Sequence, residues 1–293
     1  KAHESTLARS IMFNAPVFVY LATVLPPVLL GAIIWKSDRF PEPGKFLIAS
    51  FLLGVSIFLP LDFLILVTEN HIGPFLGLDI EQYNEWRSGG WKEEGAIDPT
   101  RGVFAFMNFF RAAFLEEGLK FALLIFFCVR LSNLNEPMDA IVYGAAIGLG
   151  YAAMENIPYL YSEDPNLNWT MEAVRGRYYP LVMHMGFGVV MGWLLSQNLF
   201  EERSLFKRRL MLILSLAIPV IFHGSYNYLR AGDIFPVLTL ILTFGVIYFY
   251  RRDQLKKITE NEDKANVDNV DVFYAYAITS LLVILVVASA MMY

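Results

Sequence analysis

Blocks of about twenty consecutive apolar residues recur along this chain, the length a helix needs to cross a hydrocarbon core about 30 Å thick. The sequence of 293 residues is 56% hydrophobic and only 17% charged, with a mean hydropathy of +0.47. An ordinary soluble domain carries nearer 25% charged residues, about half as many again. The excess excludes a soluble enzyme, a nucleic-acid-binding module and a disordered scaffold. The pattern predicts an all-α, polytopic membrane helical bundle of about eight transmembrane helices, forming one integral membrane domain over residues 1–293.

The spans read as roughly 16–35, 46–67, 105–129, 138–160, 179–199, 210–229, 234–250 and 272–293. The flanking four are almost purely apolar, and Asp62 is the only acid within them. Asp62 has no evident partner and reads as structural. The central four carry Asn108, Arg111, Glu116, Glu117 and Lys120; Glu155 and Asn156; His184; and His223 with Asn227. A catalytic core over about residues 104–230 is expected between flanking spans 16–67 and 234–293.

Other features bound the reading. A net charge of −5 offers no clustered basic surface for nucleic acid. The single cysteine, Cys128, lies in an apolar run, so neither an intrachain disulfide nor a thiolate cluster is expected. The first apolar block reads as a span rather than a signal peptide. Loops after spans one, three, five and seven hold 13 Lys and Arg residues against 8 on the other side, which predicts outside termini. Residues 68–104 read as an outer interfacial segment with Trp86 and Trp91 around Gly89 and Gly90. Residues 251–271 read as a cytoplasmic linker, basic and then acidic.

Ionisable residues at membrane depth cost about 2.5–3.5 kcal/mol each on insertion scales and point to function. Counting residues from the outer end puts Glu155, His184 and His223 at about 8–9 Å depth. Glu116 joins them, at about 10 Å, if span three enters the membrane at Phe109. Gly144, Gly148 and Ala152 on span four, and His184, Gly188 and Gly192 on span five, form stripes that allow close helix approach. Those faces therefore point inward. Glu116 and Glu117 project about 100° apart, and Lys120, one turn on, can compensate one of them. The spare carboxylate is a candidate general base. His223 and Asn227, four residues apart on one face, can both donate towards an oxyanion.

EEGLK at 116–120, GLGYAAMENIPY at 148–159, HMGFGVVMGW at 184–193 and FHGSYNYL at 222–229 resemble, in order and spacing, the PrsW family of intramembrane proteases. More distantly they resemble CaaX-processing type II proteases and bacteriocin-immunity relatives. The resemblance implies a glutamic-type intramembrane endopeptidase acting on a single-span, anti-sigma-factor-like membrane protein at the extracytoplasmic side. Glu116 would activate water with help from His184. His223 and Asn227 would stabilise the oxyanion, while Glu117, Lys120, Glu155 and Asn156 support them. Where the CaaX branch has an arginine, one position beyond Lys120, this chain has Phe121. No cofactor is expected, and the oligomeric state is open. Two alternatives use the same residues: zinc held by two histidines and two or three carboxylates without an HExxH motif, or a proton- or cation-coupled transporter.

Overall fold

The structure is a computed structural model that describes residues 17–38, 40–87, 98–131, 133–160, 176–201, 204–229 and 234–259. The expected eighth span, the tryptophan at 91 and the acidic half of the 251–271 linker lie outside them. No strand occurs among the described residues, and the protein is an all-α membrane helical protein. Helix α1 covers Val17–Ser37, α2 covers Gly44–Phe75, and a short α3 covers Ile80–Arg87. Helix α4 runs over 101–126. It is followed by α5 (Pro137–Leu160), α6 (Tyr178–Leu199), α7 (Leu205–Leu229) and α8 (Ile234–Thr259). All but α3 overlap the first seven expected spans. Three of them, α2, α5 up to Pro158 and α6, are at once long and apolar enough to cross a bilayer on those criteria alone.

Helices α5 and α6 form the centre, because their sequences are apolar on every side and hydrophobic helices of that kind are buried. Nearly all of α6 between Leu181 and Ser196 is buried, as is α5 from Asp139 to Ala153. The two approach closely through glycine. A Cβ on Gly144 would collide with the Gly188 carbonyl, one on Gly148 with the His184 carbonyl, and one on Gly192 with the Ala140 carbonyl. On the other side of α5, Gly54 and Gly150 permit the same contact with α2. In contrast, α2 leaves Leu59, Phe63, Leu66 and Phe75 exposed, a surface suited to lipid. Asp62 is exposed on the same helix, away from the polar cluster.

Two helices change pitch near the polar cluster. Thr68–Ile72 in α2 and Phe106–Phe114 in α4 are π-helical, with each N–H reaching back five residues. That pitch frees backbone carbonyls, and an asparagine answers each: Asn70 Nδ2 donates to Leu66 O at 2.9 Å, and Asn108 Nδ2 to Phe104 O at 2.8 Å. Arg111 of the second segment pairs with Glu69 of the first, Nε to Oε1 at 2.8 Å. Span three lies on a helix that continues beyond Phe109 towards the N-terminus. Its helix begins near Thr100, whose hydroxyl caps Val103 N, and passes Arg111 because Glu69 neutralises that charge locally.

The described residues of the 68–104 segment fold back onto the bundle. Gly77, at φ +71°, turns the chain after α2 into α3. Tyr83 and Trp86 of α3 pack edge-on against Phe104, and Trp86 Nε1 donates to Asp98 at 2.9 Å. This fold-back brings α3 over the polar end of the bundle.

Candidate active site

Four helices bring the sequence-predicted residues together. Glu116, Glu117 and Lys120 come from α4 just after its π-helical stretch, Glu155 and Asn156 from α5, His184 from α6, and His223 and Asn227 from α7. At the centre, Lys120 is 1% exposed and Glu117 is fully buried. The Lys120 ammonium donates to Glu117 Oε1 at 2.7 Å and to His184 Nδ1 at 2.8 Å. It also sits 4.0 Å above the Tyr151 ring, which adds a cation–π contact.

Hydrogen-bond capacity assigns the protons. An ammonium can only donate, so His184 Nδ1 accepts. The neutral ring then carries its hydrogen on Nε2, which donates to Glu155 Oε2 at 3.2 Å. Glu117 Oε1 also accepts from His223 Nδ1 at 2.9 Å. That leaves the lone pair of neutral His223 on Nε2, facing Glu116 Oε2 at 3.9 Å. Glu116 Oε2 and Glu117 Oε2 are buried side-chain oxygens without a hydrogen-bond partner. Phe187 stacks on His223 at 5.6 Å and meets His184 edge-on at 6.0 Å, which restricts both rings.

A cavity of about 290 Å³ adjoins this cluster, lined by Glu116, Glu155, His184, His223 and Asn227 together with Asn108, Arg111 and Arg177. Tyr83 and Arg87 of α3 contribute to its wall. Glu117 and Lys120 do not line it and stand behind Glu116 and the histidines. The site is therefore a buried charged network with Glu116, Glu155, His184, His223 and Asn227 facing the cavity.

Two participants had little sequence signal. Arg177 counts in the sequence only as a loop cation, yet its guanidinium binds Glu155 and Asn156. Tyr151 stands out in the sequence only as part of the GLGYAAMENIPY run, although it lies one turn before Glu155, a spacing that puts both on one face. Its hydroxyl faces Glu116 and its ring contacts His184 at 4.9 Å.

The same cluster satisfies the donor chemistry of a metal site. Glu116, Glu117, His184 and His223 each bring one ligand atom within 4.8 Å of the others. Two imidazoles and two carboxylates suit zinc, and the two unpartnered carboxylate oxygens are where a cation would be welcome. Lys120 is the competitor, because its ammonium already uses His184 Nδ1 and Glu117 Oε1.

A sequence model described as the PrsW family intramembrane metalloprotease matches residues 42–250, well over half the chain. The chain belongs to the PrsW family. Among curated relatives, the protease PrsW of Bacillus subtilis is 30% identical over 232 residues, covering 77% of this chain and 91% of its own length. That of Clostridioides difficile is 26% identical over 255 residues, covering 86% of this chain and 96% of its own. That of Oceanobacillus iheyensis is 27% identical over 245 residues, covering 82% and 95%. No solved structure gives a significant match. This PrsW-family member is an intramembrane protease, which sets aside the transporter reading. The match extends from α2 to α8 and so beyond the 104–230 core that carries the motifs.

Proposed function

We propose that the protein is a glutamic-type intramembrane endopeptidase that cuts a single-span, anti-sigma-factor-like membrane protein near the extracytoplasmic face. The observation that supports this mechanism is the facing pair of uncommitted acceptors, Glu116 Oε2 and His223 Nε2, 3.9 Å apart at the cavity. Two acceptors that cannot bond each other can share one water, which donates a hydrogen to each. Glu116 removes a proton from that water as its oxygen attacks the scissile carbonyl carbon. The carbonyl oxygen takes the displaced electron pair, and the Asn227 amide in the cavity wall donates to it. Glu116 then returns the proton to the amide nitrogen as the C–N bond breaks, leaving an acid and an amine.

In this mechanism the water-holding role foreseen for His184 passes to His223, because both nitrogens of His184 are engaged by Lys120 and Glu155. Glu117, Lys120 and His184 keep the protons of the network in place. The extracytoplasmic assignment and outside termini rest on the excess of Lys and Arg in the opposite loops.

A second reading keeps the residues and adds zinc, favoured by the four donors of Glu116, Glu117, His184 and His223. A zinc ion bound there would supply Lewis-acid polarisation of water or of the scissile carbonyl. The test is reconstitution of the purified protein in liposomes with a single-span substrate. Cleavage by the wild type supports the peptidase reading and none by Glu116→Gln supports the glutamate as base; an active Glu116→Gln overturns that role.

A further inference from the structure

Arg177 immediately precedes α6 and projects back onto α5. Its Nη2 donates to Glu155 Oε2 at 2.7 Å and its Nε to Asn156 Oδ1 at 2.8 Å. One planar group therefore grips two adjacent side chains of α5, a geometry that a guanidinium supplies and an ammonium does not. The gripped oxygen, Glu155 Oε2, is also the acceptor for His184 Nε2. From there the contacts continue without a break: His184 Nδ1 to Lys120, Lys120 to Glu117 Oε1, Glu117 Oε1 to His223 Nδ1.

We propose that Arg177 is a positioning residue for the peptidase reaction, fixing Glu155 so that it holds the His184 ring by Nε2 against Lys120, and so keeps the chain through Lys120 and Glu117 that leaves His223 Nε2 free to face water. This rests on the peptidase reading above. Without the clamp, Glu155 swings away, His184 Nε2 loses its acceptor, and the ring is no longer held against Lys120. Lys120 and Glu117 then lose the geometry that orients His223. Arg177 also lines the cavity, so the competing role is a direct contact to substrate.

The two roles separate kinetically. The full-length protein in liposomes, with one single-span substrate, is compared as wild type, Arg177→Ala, Arg177→Lys, Glu155→Ala and the Arg177→Ala/Glu155→Ala double variant. Thermal midpoints are recorded for each. Arg177→Ala is expected to lower kcat about tenfold to a hundredfold with KM nearly unchanged. Arg177→Lys restores only part of this. In the Glu155→Ala background, removing Arg177 costs little more, because both variants break the same link. The proposal is overturned by wild-type kcat in Arg177→Ala, by a rise in KM alone, by losses that multiply in the double variant, or by activity that merely tracks the thermal midpoint. No cleavage by the wild type defeats the peptidase reading itself, whereas an active wild type with an unimpaired Arg177→Ala defeats only the role of Arg177.

Discussion

His223 Nε2 stands 3.9 Å from Glu116 Oε2, too far for a hydrogen bond and about right for two acceptors sharing a small donor between them. Both line the cavity, and the other nitrogen of His223 is held by Glu117. In the proposed mechanism this pair is where the buried network meets the reacting water. Replacing His223 by Gln, which keeps bulk but not the ring acceptor, is expected to lower kcat about a hundredfold to ten-thousandfold while substrate still binds. Single-turnover cleavage together with pull-down of intact substrate measures the two effects separately.

Lys120 has a structural duty distinct from catalysis. Lys120→Met leaves the fully buried Glu117 carboxylate without its cation, which costs about 3–5 kcal/mol. The double variant Lys120→Met/Glu117→Gln removes both charges and should recover much of that stability without recovering activity. Thermal midpoints in detergent, set beside cleavage rates, check this.

The α5–α6 crossing holds His184 against the network. Gly188→Ala would drive a methyl group into the Gly144 carbonyl, with no flexible side chain there to yield. A stability loss of about 1–3 kcal/mol is expected, with activity reduced because His184 moves relative to Lys120 and Glu155. Gly118→Ala is the control, since a Cβ there meets nothing within 4 Å. Thermal unfolding of both variants, read with cleavage, measures the difference.

Chelation distinguishes the glutamate mechanism from the zinc reading. With Lys120 serving as the resident cation between Glu117 and His184, cleavage is expected to survive exhaustive chelation. Elemental analysis of the purified protein checks the same point. Stoichiometric zinc whose removal abolishes cleavage, restored by adding zinc back, would establish the metal mechanism instead.

Most of the site was legible because each of its residues violates a strong local rule. Charged and imidazole side chains in apolar helices have few explanations, so Glu116, Glu117, Lys120, Glu155, His184 and His223 stood out in a linear reading. The glycine stripes on α5 and α6 pointed to an inward face, and those glycines do meet at the crossing. Arg177 broke no rule, since an arginine beside a span is ordinary. Tyr151 was likewise ordinary in an apolar helix. Neither the π-helical stretches nor α3 folding over the cavity left a periodic trace, because both answer contacts made by distant segments.

The sequence by itself determined the solvent, the helices and the chemical inventory. Twenty-residue apolar runs admit little but helices in lipid, where each backbone polar group must be satisfied within its own segment. It determined nothing about which hydrogen sits on which nitrogen. That was decided by tertiary structure, where one ammonium from α4 meets one imidazole from α6 and forces it to accept. Proton placement is a property of neighbours in three dimensions. The proposed division of labour between His184, with both nitrogens engaged in the network, and His223, with Nε2 left over, follows from that packing.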